Sequence, residues 1–349
     1  MISFFITNIN KCAGTERVVT SQVNYLVQQG KRVEIISLNS IEGGAFFDLD
    51  NSVVIHHLGV PTYENAGLLK KIIGYIESFV VVKSFFRSYK TDLVIGTSRN
   101  TNIMAIVNNR GTRVIGCEHF QYYNPKPLIR VIRDYFYKKL EKLIVLTKRD
   151  QEIYIKKGIS AVCIPNAVSF PVQKNIKEKS KIAVAVGRHS YEKNFELLLR
   201  LWKRVDSKDW TLQIIGEGPL YEDNKSYAEK EGIKNVEFIP FTKDIVNYYR
   251  QASIYLMTSR FEALPMVLLE AKTCGCVCVS FDCETGPREI IRNGVDGFLI
   301  PLGQDDEYIN RVEQLMNDPD LCKKMGNEAL DSSYLYSKEV LLKKLLNIV

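Results

Sequence analysis

Nowhere does this sequence contain the uninterrupted apolar run of about 18 residues that a membrane-spanning helix needs. The closest approach, residues 68–89, is broken by Lys70, Lys71, Glu77, Lys83 and Arg87. A basic segment leading into an apolar leader is missing too, since the chain starts directly on the apolar run 2–6. Cytoplasmic residence is the expectation. The sequence also lacks paired cysteine ligands. Zinc sites draw on pairs two to four residues apart with a second pair elsewhere. Of the eight cysteines here, Cys274, Cys276 and Cys278 simply alternate, with Cys283 alone beyond them. Alternation predicts three small, reduced side chains on one face of a strand, with Val277 and Val279 on the other. No complete Gly-x-Gly-x-x-Gly follows a first strand, which speaks against a dinucleotide cofactor. Aromatic-basic recognition motifs for nucleic acid are absent as well.

What remains is a chain of 349 residues, enough for two domains of ordinary size. Its 46% hydrophobic and 25% charged content is that of a soluble globular protein. Charge is unevenly placed. Residues 1–170 hold 22 Lys and Arg against 13 Asp and Glu, whereas residues 171–349 hold 25 against 27. A basic half beside a near-neutral half points the first half towards an anionic partner. Two basic amphipathic stretches, residues 68–90 and 126–142, could lie on an anionic membrane surface. Ordinary helices with one solvated basic face explain them equally well.

Strand and helix patterns alternate along the whole chain. Strands are expected at residues 2–6, 32–38, 53–58, 93–96, 114–116 and 143–146, with helices at 16–29, 68–88 and 128–140. The polar, lysine-rich segment 171–181 reads as a linker between domains. The pattern then restarts with strands at 182–186, 211–215, 236–239, 252–257, 277–281 and 297–300, and helices at 195–205, 220–231 and 265–274. This alternation means α/β, with two doubly wound parallel sheets. The expected division is 1–170, 171–331 and a terminal segment 332–349.

The richest stretch is Ser259-Arg260-Phe261-Glu262-Ala263-Leu264-Pro265-Met266-Val267-Leu268-Leu269-Glu270. It follows an apolar strand and turns at Pro265 into an apolar helix. Glu262 falls in the loop above the strand's carboxyl end, and Glu270 about one turn inside the helix. Ligands of open α/β sheets bind in that crevice. Two carboxylates beside helix-start N–H groups suit a ligand with both hydroxyls and a phosphate. By spacing alone they are equally consistent with surface charge. Arg188 and Lys193, in Gly187-Arg188-His189-Ser190-Tyr191-Glu192-Lys193-Asn194, follow another strand and lead into a helix. A fork and a compact charge there can hold a diphosphate, or can be solvated surface. His119 follows the strand 114–116 at the same kind of end, as a satisfied core group or a substrate contact. His56, His57 and His189 have weaker claims, and Asp48-Leu49-Asp50 reads as acidic surface.

The stretch 259–270 resembles the signature of retaining glycosyltransferases of family 4. Further matches are Gly187-Arg188 with Lys193-Asn194, the Gly216-Glu217-Gly218 turn, Phe238-Ile239-Pro240-Phe241, and Cys12-Ala13-Gly14-Thr15-Glu16-Arg17. The last departs from the family's Gly-Gly-x-x-Arg at Ala13. Residues 280–290, containing Gly286-Pro287, resemble a subgroup building bacterial surface polysaccharides such as O-antigen, lipopolysaccharide and capsule. The resemblance implies the GT-B fold, with the final helix returning to the first domain. It implies transfer of a hexose from a nucleoside-diphosphate sugar, with UDP the expected carrier, to a glycan or polyprenyl-diphosphate-linked acceptor. It implies no metal. Arg188 and Lys193 would neutralise the leaving diphosphate, Glu262 and His119 would stand by the transferred sugar, and Glu270 would take the ribose hydroxyls. Gly14, Gly187, Gly216, Pro240, Leu264, Met266 and Val267 would line the nucleotide. A sugar-nucleotide epimerase or a phosphorylase on a similar fold is the enzymatic alternative. A dinucleotide enzyme and a basic nucleic-acid binder are more distant ones.

Overall fold

The computed structural model describes residues 1–62, 67–108, 111–168, 170–173 and 178–349. The chain forms two compact units, Met1–Pro165 with Leu342–Val349, and Asn166–Leu341. Unit 1 runs β1 (Ile2–Ile6), α1 (Gly14–Gln28), β2 (Val33–Ser37), β3 (Val54–His57), α2 (Leu68–Ser88), β4 (Leu93–Gly96), α3 (Arg99–Asn108), β5 (Arg113–Cys117), α4 (Pro127–Tyr137), β6 (Lys142–Val145), α5 (Lys148–Lys156) and β7 (Ala161–Cys163). Unit 2 runs β8 (Ser180–Val186), α6 (Phe195–Trp202), β9 (Thr211–Ile215), α7 (Tyr221–Lys230), β10 (Val236–Ile239), α8 (Ile245–Gln251), β11 (Ala252–Met257), α9 (Met266–Thr273), β12 (Val277–Phe281), α10 (Pro287–Ile290), β13 (Gly297–Ile300), α11 (Asp305–Asn317) and α12 (Pro319–Ser333). A last helix, α13 (Lys338–Leu346), ends in unit 1.

Both sheets are parallel throughout, in the orders β3-β2-β1-β4-β5-β6-β7 and β10-β9-β8-β11-β12-β13. Strands of such sheets are covered on both faces, so they read as unbroken apolar runs. All five residues of β1 are buried. Phe4 and Ile6 pack with Val19, Val23 and Leu26 of α1, while Phe5 faces Val82 and Phe86 of α2. The alternation is the two-residue period of a strand sorting its side chains between two cores. In each sheet the chain reverses direction of travel at one place, between β1 and β4 and between β8 and β11. Crevices open there at the strands' carboxyl ends.

Glycine at the end of β4 sets one wall of the first crevice. A Cβ on Gly96 would come within 2.9 Å of Asn102 Cα, so α3 lies closer to the sheet than a side chain permits. Asn102 then donates from Nδ2 to the Cys117 carbonyl at 3.1 Å and to the Tyr137 hydroxyl at 2.9 Å.

Several expectations need correcting. Cys274, Cys276 and Cys278 do not share one strand. Gly275, at φ +74°, ends α9: its N–H bonds to the Lys272 carbonyl and the Cys276 N–H to the Ala271 carbonyl. That left-handed cap uses up Cys274 to Cys276, and β12 begins only at Val277. All three thiols are nonetheless fully buried. The segment 171–181 is not linker to its end, because Ser180 and Lys181 already belong to β8; residues 174–177 lie outside the described residues. The side chain of Lys71 does too. Helices α3, α5 and α8 and strand β7 were not anticipated.

Candidate functional site

In unit 2 the crevice is built from the loops after β8, β9 and β11. Residues 187–194 follow β8, the central strand. Gly187 donates to the Ile215 carbonyl at 3.0 Å, which ties this loop to the end of β9. The next loop crosses it closely. Gly216 sits at φ +140°, and a Cβ there would meet the Gly187 carbonyl oxygen at 2.1 Å. At Gly218 a Cβ would come within 2.7 Å of His189 N. His189 N–H donates to the Glu217 carbonyl at 2.9 Å. The two loops are therefore one interlocked unit, and both glycines are sterically required. Asn194, at φ 55°, then turns the chain into α6.

Lys193 folds back along this loop. A Cβ on Gly187 would lie 3.0–3.3 Å from three carbons of the Lys193 side chain. Its ammonium reaches Glu262 Oε1 at 2.6 Å, and Ser259 Oγ donates to the same oxygen at 2.8 Å. Thr285 Oγ1 holds the Glu262 carbonyl. Glu262 is thus fixed from three sides in the loop after β11. Arg188 stands exposed in the same loop as Lys193.

Glu270 has different surroundings. It lies in α9, which starts at Met266 behind Pro265 as the turn residues require. Its side chain is buried and accepts from the Tyr249 hydroxyl at 3.2 Å. The first N–H groups of α9, including those of Met266 and Val267, have no preceding turn to bond to. Leu264 is buried beneath them, Met266 and Val267 are half-buried, and Pro240 is exposed at the end of β10. Sequence reading missed Ser259 and Tyr249 as supports of the two glutamates. Only the fold brings Tyr249, 21 residues away, onto Glu270.

His189 is a core residue. It is fully buried among Phe195, Tyr221 and Phe238 and pairs through Nδ1 with Asn224 at 3.0 Å. Burial pushes its imidazole down to about 4.

Unit 1 carries its own crevice, a cavity of about 450 Å³ at the carboxyl ends of β1, β4 and β5. His119 lines it with Thr97, Ser98, Arg99 and Asn100, and Glu16 and Glu118 stand in the same wall. The half-buried His119 ring is pushed down to about 4 by desolvation, so it is neutral near pH 7. Glu118 accepts from the Tyr137 hydroxyl, and burial pushes its carboxyl up. Gly14 opens α1 with nothing within 4 Å of a Cβ, so no neighbour in unit 1 requires a glycine there. Among the described residues no group of three or more His, Cys, Asp or Glu could hold a metal ion, and no helix is long and apolar enough to cross a membrane.

Two family models match adjoining parts of the chain, together residues 13–331. The model of Glycosyltransferase Family 4 matches residues 13–170, and that of Glycosyl transferases group 1 matches residues 169–331. The amylovoran biosynthesis glycosyltransferase AmsD of Erwinia amylovora is 29% identical, over 97% of this chain and 96% of its own. A UDP-Gal:alpha-D-GlcNAc-diphosphoundecaprenol alpha-1,3-galactosyltransferase of Escherichia coli is 26% identical, over 88% of this chain and 85% of its own. The solved lipopolysaccharide outer core galactosyltransferase WaaB superposes with a TM-score of 0.78 at 19% identity, over 99% of this chain and 98% of its own.

Proposed function

We propose that this chain, which belongs to the GT-B glycosyltransferases of family 4, moves a hexose from UDP to a growing bacterial surface glycan with retention at the anomeric carbon. The observation that carries this reading is the Lys193–Glu262 pair at 2.6 Å at the carboxyl ends of β8 and β11, with Arg188 exposed in the same loop as Lys193. Cations there can meet the diphosphate, and the free N–H groups at the start of α9 add positive potential. The buried Glu270 offers acceptor oxygens to ribose hydroxyls. Glu262, held by Ser259 and Lys193, faces the sugar end.

Chemistry would proceed on the front face. As the anomeric C–O bond breaks, negative charge grows on the departing diphosphate, and Arg188 and Lys193 stabilise it. A phosphate oxygen takes the proton of the incoming hydroxyl, so no protein nucleophile and no metal are required. His119 in unit 1 is neutral and can hydrogen-bond a sugar hydroxyl without contributing charge.

The acceptor in this reading is a glycan carried on a polyprenyl diphosphate, as the name of the Escherichia coli relative states for that enzyme. Contact with an anionic membrane face would suit such an acceptor. The basic helix α4 supports it, with Leu128, Val131, Ile132 and Tyr135 all exposed.

The test is UDP release from a panel of UDP-sugars, with the product's anomeric configuration read by NMR. Lys193→Ala should lower turnover by about 10²–10³-fold, the range seen when one charge-stabilising group is removed. Its melting temperature should barely move, because the ion pair is partly solvated. Near-normal turnover in that variant, or an inverted product, sinks the reading. Release of a sugar phosphate or an epimer in place of UDP would favour the phosphorylase or epimerase.

A further inference from the structure

The unit 1 cavity is walled mainly by groups that both give and take hydrogen bonds, such as Thr15, Thr97, Ser98 and Asn100. Two carboxylates share that wall. Glu118 is satisfied by Tyr137. Glu16 is not. It is only 6% exposed, and its Oε2 is buried with no hydrogen-bond partner among the described residues.

The position of Glu16 follows from the helix. It is the third residue of α1, in the first turn, where the helix field tolerates a carboxylate. Tolerance is not a role, however. A buried carboxylate oxygen without donors costs stability, and natural proteins satisfy nearly all such groups. Desolvation pushes the Glu16 carboxyl above the usual carboxylate range, against smaller opposing effects of its own backbone N–H and Lys11. The side chain's Oε2 thus contributes no hydrogen bond to the fold, yet Glu16 borders a cavity of about 450 Å³, large enough for a monosaccharide.

We propose that Glu16 is the residue of unit 1 that accepts a hydrogen bond from a hydroxyl of the acceptor sugar, and so selects which acceptor enters. This rests on the transferase reading above. An unpaired acceptor oxygen, in a wall of hydroxyl and amide groups that also holds Arg99 and His119, matches one donating sugar hydroxyl flanked by others. Sites of this type discriminate strongly, because a substrate lacking the hydroxyl leaves the protein group buried and unpaired.

The experiment uses the full chain, a UDP-hexose that it turns over, and methyl α-glycosides of glucose, galactose, N-acetylglucosamine and N-acetylgalactosamine as acceptor probes. Three quantities are read: KM for the glycoside, UDP release without glycoside, and melting temperature. Glu16→Ala should raise the glycoside KM by about tenfold or more. Glu16→Gln, which keeps one acceptor oxygen, should fall between. UDP release without glycoside should stay at the unsubstituted level, and the melting temperature should hold or rise, since an unsatisfied group is removed. An unchanged glycoside KM overturns the inference, as does a fall in melting temperature accompanied by loss of UDP release. UDP release that none of the four glycosides accelerates overturns it too. If the unsubstituted protein releases no UDP from any UDP-hexose, the transferase reading itself has failed.

Discussion

Lys193 and Glu262 stand 69 residues apart in sequence and 2.6 Å apart in space. Each was readable as a candidate from its own loop, but not that they would neutralise one another. Their pairing means that an arriving diphosphate must share Lys193 with a carboxylate already bound to it. His189 shows the opposite outcome, a polar residue in the same loop that serves the core. Asn224 donates to its Nδ1, so the neutral ring carries its proton on Nε2. Folded, it titrates at about 4 because it is buried; unfolded, it takes a proton near the ordinary value of about 6.5. Between those values the unfolded chain binds the extra proton, so stability is full above about pH 6.5 and falls as the pH drops towards 4. The slope from His189 is at most about 1.4 kcal/mol per pH unit. His119 acts in the same direction in unit 1. Urea midpoints at pH 7 and pH 5 should therefore differ less in His189→Leu than in the unsubstituted protein. Equal differences would mean that the ring is charged in the fold.

Helix α4 inverts the usual arrangement of a helix on a sheet. Its inward face carries Arg133, fully buried over the rings of Tyr122 and Tyr154 at 4.4 and 4.9 Å, and Tyr137. Its outward face carries Leu128, Val131, Ile132 and Tyr135, which are 72, 67, 47 and 62% exposed. Spaced i, i+3, i+4 and i+7, this stripe is the pattern that normally faces a core. Lys126, Arg130, Lys138 and Lys139 lie beside it in sequence. An apolar stripe with a basic border suits the surface of an anionic bilayer. We expect the protein to sediment with vesicles containing phosphatidylglycerol, more weakly at high salt. Val131→Glu with Ile132→Glu should reduce that binding several-fold and spare UDP release. Undiminished sedimentation would place the contact elsewhere.

The basic amphipathic character of α4 was legible in sequence; which face would point out was not. That depended on Arg133 finding two tyrosines and Asp134. Other elements were illegible for definable reasons. Helix α5, Lys148–Lys156, has only Asp150 and Tyr154 buried, too little for an apolar stripe. Helix α3 begins Arg-Asn-Thr-Asn, residues that favour turns, and its helical course depends on Asn102 seating against Gly96. Strands such as β1, β11 and β12 were legible because burial on both faces leaves each of them apolar but for one serine.

At the scale of the whole molecule, the chain leaves unit 1 at Pro165 and re-enters it at Leu342. Alternating strands and helices announced two sheets, but no local pattern gives the strand order, which is set by long-range pairing. The final residues are a working part of the first core. Leu342 and Leu345 are buried in the cluster holding Phe4 and Val23, and Leu346, Ile348 and Val349 pack on it. Ending the chain after Leu341 removes two buried leucines, a loss of about 2–5 kcal/mol each in a well-packed core. Calorimetry should show the unit 1 transition lowered or lost, while the transition that UDP raises by binding remains. An unaltered thermogram would show that this segment adds nothing to the fold.

The unequal burial of the cysteines has a practical consequence. Thiol reagents attack the thiolate, and burial suppresses it at Cys117, Cys274, Cys276, Cys278 and Cys283. Cys12 is the exposed thiol among the described residues, two positions before the start of α1 and four before Glu16. The molecule thus carries its own attachment point for a fluorophore or spin label, in the loop that leads to the unit 1 cavity. Occupancy of that cavity becomes something that can be watched in real time by emission or line shape, without first engineering a cysteine.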